Sequence, residues 1–289
     1  MRLLEGIPWI TKYRFVIIGG GVLLFFFLSS LLGPWVVPYQ PGESDLPYLP
    51  ITDKHPLGTN DMGYDIFSEW ICAGRYSITI GILAALMSVI IGGGIGILAG
   101  YFRGLWGEFF TGIIDVFLLI PMLPLMVVLA AYLGQGWSNI VLAISLLGWC
   151  STARAVRAKV LQLREALFVE ALKVLGISSG RILVSHMAPH VMEIISAKFI
   201  LTVAYAMLSE AALSFIGLGD PSAVSWGTMV HYAFQRGGFA SGMWYWYLPP
   251  GLSIGFCALG FMLIGMHFES SSRTPTGYAW FGGKIFEHR

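Results

Sequence analysis

The sequence predicts an all-α integral membrane protein with about six transmembrane helices and both termini in the cytoplasm. Two observations carry this expectation. Of the 289 residues, 56% are hydrophobic and only 11% charged, and the mean hydropathy is +0.73, a composition outside the usual range of soluble domains. The apolar residues also gather into windows long enough to cross a bilayer, which takes roughly 20 of them. The net charge of +1 offers no nucleic-acid footprint. Cys72, Cys150 and Cys257 are too scattered for a disulfide framework or a zinc site, and read as packing residues.

The windows fall at about 15–33, 76–102, 109–133, 137–153, 191–218 and 247–268. The first follows Arg2, Lys12 and Arg14 and has no small-residue cleavage site behind it, so it is expected to stay as an uncleaved anchor. Residues 1–75 then form an anchor helix with an extracytoplasmic loop, 76–268 a transmembrane core, and 269–289 a cytoplasmic tail. With the N-terminus inside, the cytoplasmic side receives Arg2, Lys12, Arg14, Arg103, Arg154, Arg157, Lys159, Arg164, Lys173, Arg181, Arg273, Lys284 and Arg289. The outer side receives only Lys54, Arg75 and Arg236, an asymmetry that sets the orientation.

Outside the membrane, GPWVVPYQPGESDLPYLP reads as an extended, proline-rich lead-in. Thr59 or Asn60 is expected to cap a short interfacial helix, DMGYDIFSEWICAG. MWYWYLPP reads as an aromatic belt whose prolines start the last helix. In the second window Gly92, Gly96 and Gly100 recur every four residues, baring one face for close helix packing. In the third, Pro121 and Pro124 remove backbone donors, so a kink or unwound stretch is expected, either purely structural or lining a pathway. Asp115, Glu193, Lys198 and Glu210 are ionisable residues in or near the windows. Glu193 and Lys198 stand close enough to neutralise one another. Glu210 is the deepest, most needs a partner, and joins Pro121 and Pro124 as a candidate pathway or gate residue.

Catalytic motifs are wanting. His186, His190 and Glu193 lack an HExxH pattern, and Pro189 is expected to interrupt the turn that would align the two rings. GYAWFGGKI has neither the spacing nor the Ser or Thr of a P-loop, so no ATP site is expected in this chain. No catalytic residue, metal site or cofactor is assigned.

The stretch FVEALKVLGISSGRILVSHMAPHV, with five ionisable side chains between apolar runs, reads as a cytoplasmic knuckle. Leu163, Leu167, Ala171 and Val174 or Leu175 recur at helical spacing. Gly176 ends that helix, Ser178 or Ser179 caps a second short one, and Pro189 opens the fifth span.

Here the residues resemble a known family, the permease subunits of ATP-binding-cassette importers in the peptide and nickel group. Glu170-Ala171-Leu172, three residues, Gly176, nine residues and His186-Met187-Ala188-Pro189 reproduce the spacing of that family's EAA signature. Leu172 and Ala188 stand where alanine and leucine are usual. HPLGTNDMGYDIFSEWICAGR and SEAALSFIGLGDPSAVSWGTMV are similar to two further segments of the group, while Met266-His267-Phe268-Glu269 departs from it.

The resemblance implies a type I importer fold in the cytoplasmic (inner) membrane. It also implies a second, similar permease, two cytoplasmic ATPases that bind ATP and Mg, and an extracytoplasmic substrate-binding protein. Residues 163–189 would be the coupling segment, with Glu170, Ala171, Leu172, Gly176, Ile177, Arg181 and Pro189 at the ATPase contact. Di- and oligopeptides lead as substrates, with nickel chelates and oligosaccharides as alternatives carried by relatives of nearly the same pattern. An ion-coupled secondary transporter would be expected to show two similar halves, and no such repeat is evident.

Overall fold

The computed structural model describes residues 8–40 and 42–273. Eleven α-helices account for the architecture among these residues, with two isolated β-bridges, Ser44 with Tyr64 and Thr59 with Asp65. Five helical stretches are long and apolar enough to cross a membrane, and a bent pair makes a sixth if it counts as one span.

The first span is α1 (Pro8–Val36), whose Phe25, Leu24 and Ile18 are exposed, as a lipid-facing surface requires. The second is α2 (Ile66–Tyr101), 36 residues long and the hub of the bundle. The short interfacial helix expected at 61–74 is not separate. Its residues from Ile66 onward are the first turns of α2, and the cap is Asp65, whose carboxylate accepts from the Ser68 backbone N–H at 2.8 Å. Thr59 and Asn60 instead fix the preceding loop. The Thr59 hydroxyl donates to the Leu46 carbonyl at 2.7 Å, and the Asn60 side-chain oxygen accepts from the Met62 and Tyr64 N–H groups. The division drawn at residue 75 therefore falls inside a helix.

The third window is broken into α3 (Leu105–Leu119) and α4 (Met122–Leu133), which meet at 92°. Pro121 alone makes the break. It excludes the α conformation from the residue before it, and both Ile120 and Pro121 are extended. Pro124 is the third residue of α4, where its missing N–H had no intrahelical partner to lose.

The fourth window runs on beyond 153. Helices α5 (Trp137–Gly148) and α6 (Cys150–Arg164) join through Trp149, itself in helical conformation, and carry Arg154, Arg157, Lys159 and Arg164 out on their basic end. After α7 (Leu167–Val174), the helix resumes as α8 (Ser179–Arg181). It passes through a π-helical stretch (Ile182–Met187) into α9 (Ala188–Leu213) and ends in a second π-helical stretch (Ser214–Leu218).

The fifth span therefore does not begin at Pro189, nor does Pro189 interrupt the chain. The wider π turn just before it gives the pyrrolidine ring room where an α turn would press it against a carbonyl. The loop expected at 219–246 contains α10 (Trp226–Gln235), opened by a reciprocal cap between Ser225 and Thr228. The last span, α11 (Trp244–Arg273), starts ahead of Pro249 and Pro250 and holds both inside it. Its first turn is anchored by the buried Trp246.

The outer ends carry a dense cluster of Phe26, Ile66, Met207, Trp226 and Trp246. A second cluster, built on Val156, Val160, Val169, Ile182 and Met187, closes the basic end. Lys284, Arg289 and the GYAWFGGKI segment lie outside the described residues, as does most of the tail 269–289.

Candidate functional site: a knuckle at the basic end and a fastened outer face

The knuckle is built by one turn. At Gly176 the chain takes φ +76°, and two reversed hydrogen bonds close α7: Gly176 N–H to the Lys173 carbonyl at 3.0 Å, and Ile177 N–H to the Leu172 carbonyl at 3.1 Å. This pairing is the Schellman arrangement, and Leu172 and Ile177 pack on the same cluster as its hydrophobic clasp. Ser178 occupies the cap position of α8 by backbone conformation, without a side-chain cap bond. The expected second short helix is thus the outward extension of α9 and not an independent unit.

Val169, Ile182 and Met187 are buried against the ends of α2 and α6 and fix the knuckle to the bundle. The apolar stripe identified by spacing faces the other way. Leu167 is 83% exposed and Val174 88%, with Leu175 and Ala171 also exposed, while Leu163 belongs to α6 and is buried. Glu170, Lys173, Gly176, Arg181 and Pro189 are exposed, and Leu172 and Ile177 half-buried. The seven predicted coupling residues therefore lie along one protrusion with an apolar tip and charged flanks.

Gly92, Gly96 and Gly100 lie along α2 against α6. A methyl group at Gly92 would meet the Trp149 carbonyl, and one at Gly96 would lie 2.6 Å from the Ala153 carbonyl. At Gly100 it would be 2.7 Å from Val160 Cβ. Real Cβ atoms do not approach so closely, so these glycines set the helix separation.

The break at Pro121 opens beside a cavity of about 300 Å³, lined by Met122 of α4, Ser151 of α6, and Lys198, Thr202 and Tyr205 of α9. Among the described residues no ion pair joins Lys198 to Glu193. The sequence pairs Lys198 with Glu193 and does not point to a cavity. The readable signal was a lysine inside an apolar span, which usually faces the bundle interior or a cavity.

Glu210 is not beside that break. It is 1% exposed at the outer end of α9, where its Oε1 accepts from the Ser214 hydroxyl at 2.8 Å and the Ser225 hydroxyl at 2.7 Å. Its partners are hydroxyls that tie α9 to the cap of α10. Asp115 finds Arg154 at 3.1 Å.

The two outer segments form one surface. Arg236 pairs with Asp61 at 2.7 Å, and the Tyr48 hydroxyl donates to the Arg236 carbonyl at 3.1 Å. His55, buried, bonds Asp65 at 2.9 Å and lies 3.5 Å from Asp45, with Tyr39 stacked on its ring. Asp220 links this region to α5, accepting from the Trp137 N–H at 3.0 Å. Burial raises the Asp220 pKa, but hydrogen bonds from Ser222 and Trp137 outweigh it and leave the pKa below the ordinary value. The stabilisation from that carboxylate is therefore present at neutral pH and lost on acidification through its lowered pKa.

Asp65 serves two structures at once, the α2 cap and the His55 contact. Asp65→Ala is expected to cost about 1–2 kcal/mol from the lost cap and to loosen residues 37–65. Thermal melting and limited proteolysis of the outer loop would register this, and unchanged proteolysis would refute it.

Residues 92–270 match the family described as binding-protein-dependent transport system inner membrane component. Residues 10–56 match the N-terminal transmembrane domain of oligopeptide transport permease C. The dipeptide transport system permease protein DppC of Bacillus subtilis (strain 168) is 31% identical over 259 residues, covering 89% of this chain and 80% of that protein. A putative peptide permease protein of Brucella suis biovar 1 is 34% identical over 262 residues, covering 88% and 85%. The chain belongs to the binding-protein-dependent transport system inner membrane components, the multi-pass permease subunits of ATP-binding-cassette transporters.

Proposed function

We propose that the chain is the non-catalytic permease of an ATP-driven importer of di- and oligopeptides. It forms the translocation pathway with a second, similar permease. Two cytoplasmic ATPases hold the ATP and Mg, and an extracytoplasmic binding protein delivers substrate to the fastened outer face. The observation that carries the reading is the knuckle: a glycine-closed turn, anchored by Val169 and Ile182, with Leu167, Val174 and Leu175 bare at its tip. Such an apolar tip calls for a groove on a partner. Glu170, Ala171, Leu172, Gly176, Ile177, Arg181 and Pro189 make up the protrusion that enters it. The cavity beside the Pro121 break, with Lys198 on its wall, is this subunit's share of the pathway. The names borne by the relatives support peptides as substrate.

The test is reconstitution of the permease pair with its ATPases and binding protein in proteoliposomes. Labelled dipeptide should accumulate on addition of ATP, and nickel or an oligosaccharide should not. Glu170→Arg reverses a charge on the exposed side of α7 and should reduce import about tenfold while leaving membrane insertion intact. Import of nickel or sugar in place of peptide would move the substrate assignment. Full import by the Glu170→Arg protein would remove that residue from the contact.

A further inference from the structure

At the basic end, α2, α3 and α6 leave between them a cavity of about 430 Å³, lined by Arg103, Arg157 and Arg164 together with Glu108, Thr111 and Asp115. Most of these charges are satisfied inside the chain. Asp115 is bound by Arg154 at 3.1 Å, and Arg103 and Arg164 share Glu165 at 3.5 and 3.3 Å. Arg164 also donates to the Gly100 carbonyl at 3.1 Å.

Arg157 and Glu108 are the exceptions. The Nε of Arg157 is buried without a hydrogen-bond partner, and among the described residues neither side chain has an ion pair. One cation and one anion, the latter exposed, thus line the same cavity without an ion-pair partner among the described residues. Beside it, the exposed strip of α3 is apolar and aromatic: Leu105, Trp106, Phe109 and Val116. Glu108, Thr111 and Asp115 recur at helical spacing on the adjoining face, so the polar cavity and the apolar strip share one helix.

We propose that this cavity seats the head group of a phospholipid carrying both a phosphodiester and a free ammonium, as phosphatidylethanolamine does. The phosphate lies on Arg157, whose planar guanidinium suits phosphate oxygens. The ammonium lies on Glu108, and the acyl chains run along the α3 strip. Basic pockets between spanning helices on the cytoplasmic side are places where phospholipid heads are held. A purely anionic head would face Glu108 with like charge. A soluble phosphate would make no use of the apolar strip.

The test places the full chain, assembled with its co-expressed partners, in nanodiscs of equal parts phosphatidylethanolamine, phosphatidylglycerol and phosphatidylcholine. After detergent extraction, lipids retained by the complex are counted by native mass spectrometry. Phosphatidylethanolamine should be enriched about tenfold over the other two. Glu108→Gln should erase its advantage over phosphatidylglycerol. Arg157→Gln should lower retention of both. Gly112→Trp, at an exposed position on the cavity wall with open space around it, should block the site. Melting temperatures of the same samples separate loss of the site from loss of the fold, and the exposed Glu108 and Gly112 carry the test if the Arg157 variant does not assemble. Retention that is indifferent to head group, or unchanged in Glu108→Gln and Gly112→Trp, overturns the proposal. So does displacement of the lipid by millimolar inorganic phosphate, which would mark a free-anion site, or a cross-link showing a partner subunit filling the cavity.

Discussion

A Gly176→Val protein is expected to insert and assemble normally yet import peptide at about a tenth of the wild-type rate or less, because the left-handed backbone costs an L-residue about 1–2 kcal/mol and a β-branched one more. Space is not the obstacle. A Cβ at Gly176 would have nothing within 4 Å, so the whole penalty lies in φ +76°. Relief requires the turn to leave that conformation, which breaks the bonds to the Lys173 and Leu172 carbonyls and swings α7 away from α8. ATP hydrolysis should then stop responding to the loaded binding protein. Gly176→Asn, the substitution that best tolerates positive φ, should retain most of the transport. Transport assays on both variants in proteoliposomes decide it. Equal loss in Asn and Val would point to the side chain's presence at the contact, and wild-type transport in Val would make the turn a mere connector.

Gly96→Leu should act on the fold. Its Cβ would sit 2.6 Å from the Ala153 carbonyl and 2.8 Å from Val156 Cβ, both on the closely packed face of α6. Backbone cannot yield as a side-chain tip can, so α2 and α6 must separate, and overpacking of this kind typically costs about 1–3 kcal/mol or more. The expected result is low yield of assembled protein and a depressed melting temperature, with every activity reduced together. Gly94→Leu supplies the control, since Gly94 lies two residues away in open space on the same helix. Comparable stability of the two variants would deny the glycine row its role in setting helix separation.

The spans were legible because hydropathy reports directly on the bilayer. The break at Pro121 was legible because proline acts on its immediate neighbour. The glycine row was readable as a bare face but not as a face toward α6, since spacing on one helix says nothing of which other helix approaches. Element starts were misread wherever a weaker local signal lay close to the true one. Asn60 and Thr59 are good caps in isolation, yet both are engaged in the loop and Asp65 takes the end of α2. Pro189 and Pro250 resembled helix starts, whereas a π turn and a buried Trp246 allow helix to precede them. The stripe on α7 had the period of a buried face but is exposed, because periodicity distinguishes the two sides of a helix without saying which side meets the protein. The cavity with Lys198 draws on five helices and the one with Arg157 on three, a convergence that no linear pattern contains.

From Ser179 the backbone stays helical through α9 into the stretch after Leu213, on the order of 55 Å at an α-helical rise, until Gly217 leaves the helix at φ +96°. One end stands beside Gly176 and the other beside the hydroxyls that bind Glu210 to the cap of α10. This is a push-rod with no joint in its shaft. On the proposed function, a tilt imposed at the Gly176 end would meet no hinge in the shaft before the outer face, and a load on the outer face would travel back by the same route. The π turns near each end are the places where such a rod can slip by one residue in register and so set its stroke. On the proposed function, the ATPases would thereby sense a docked binding protein across the membrane without any substrate reaching them.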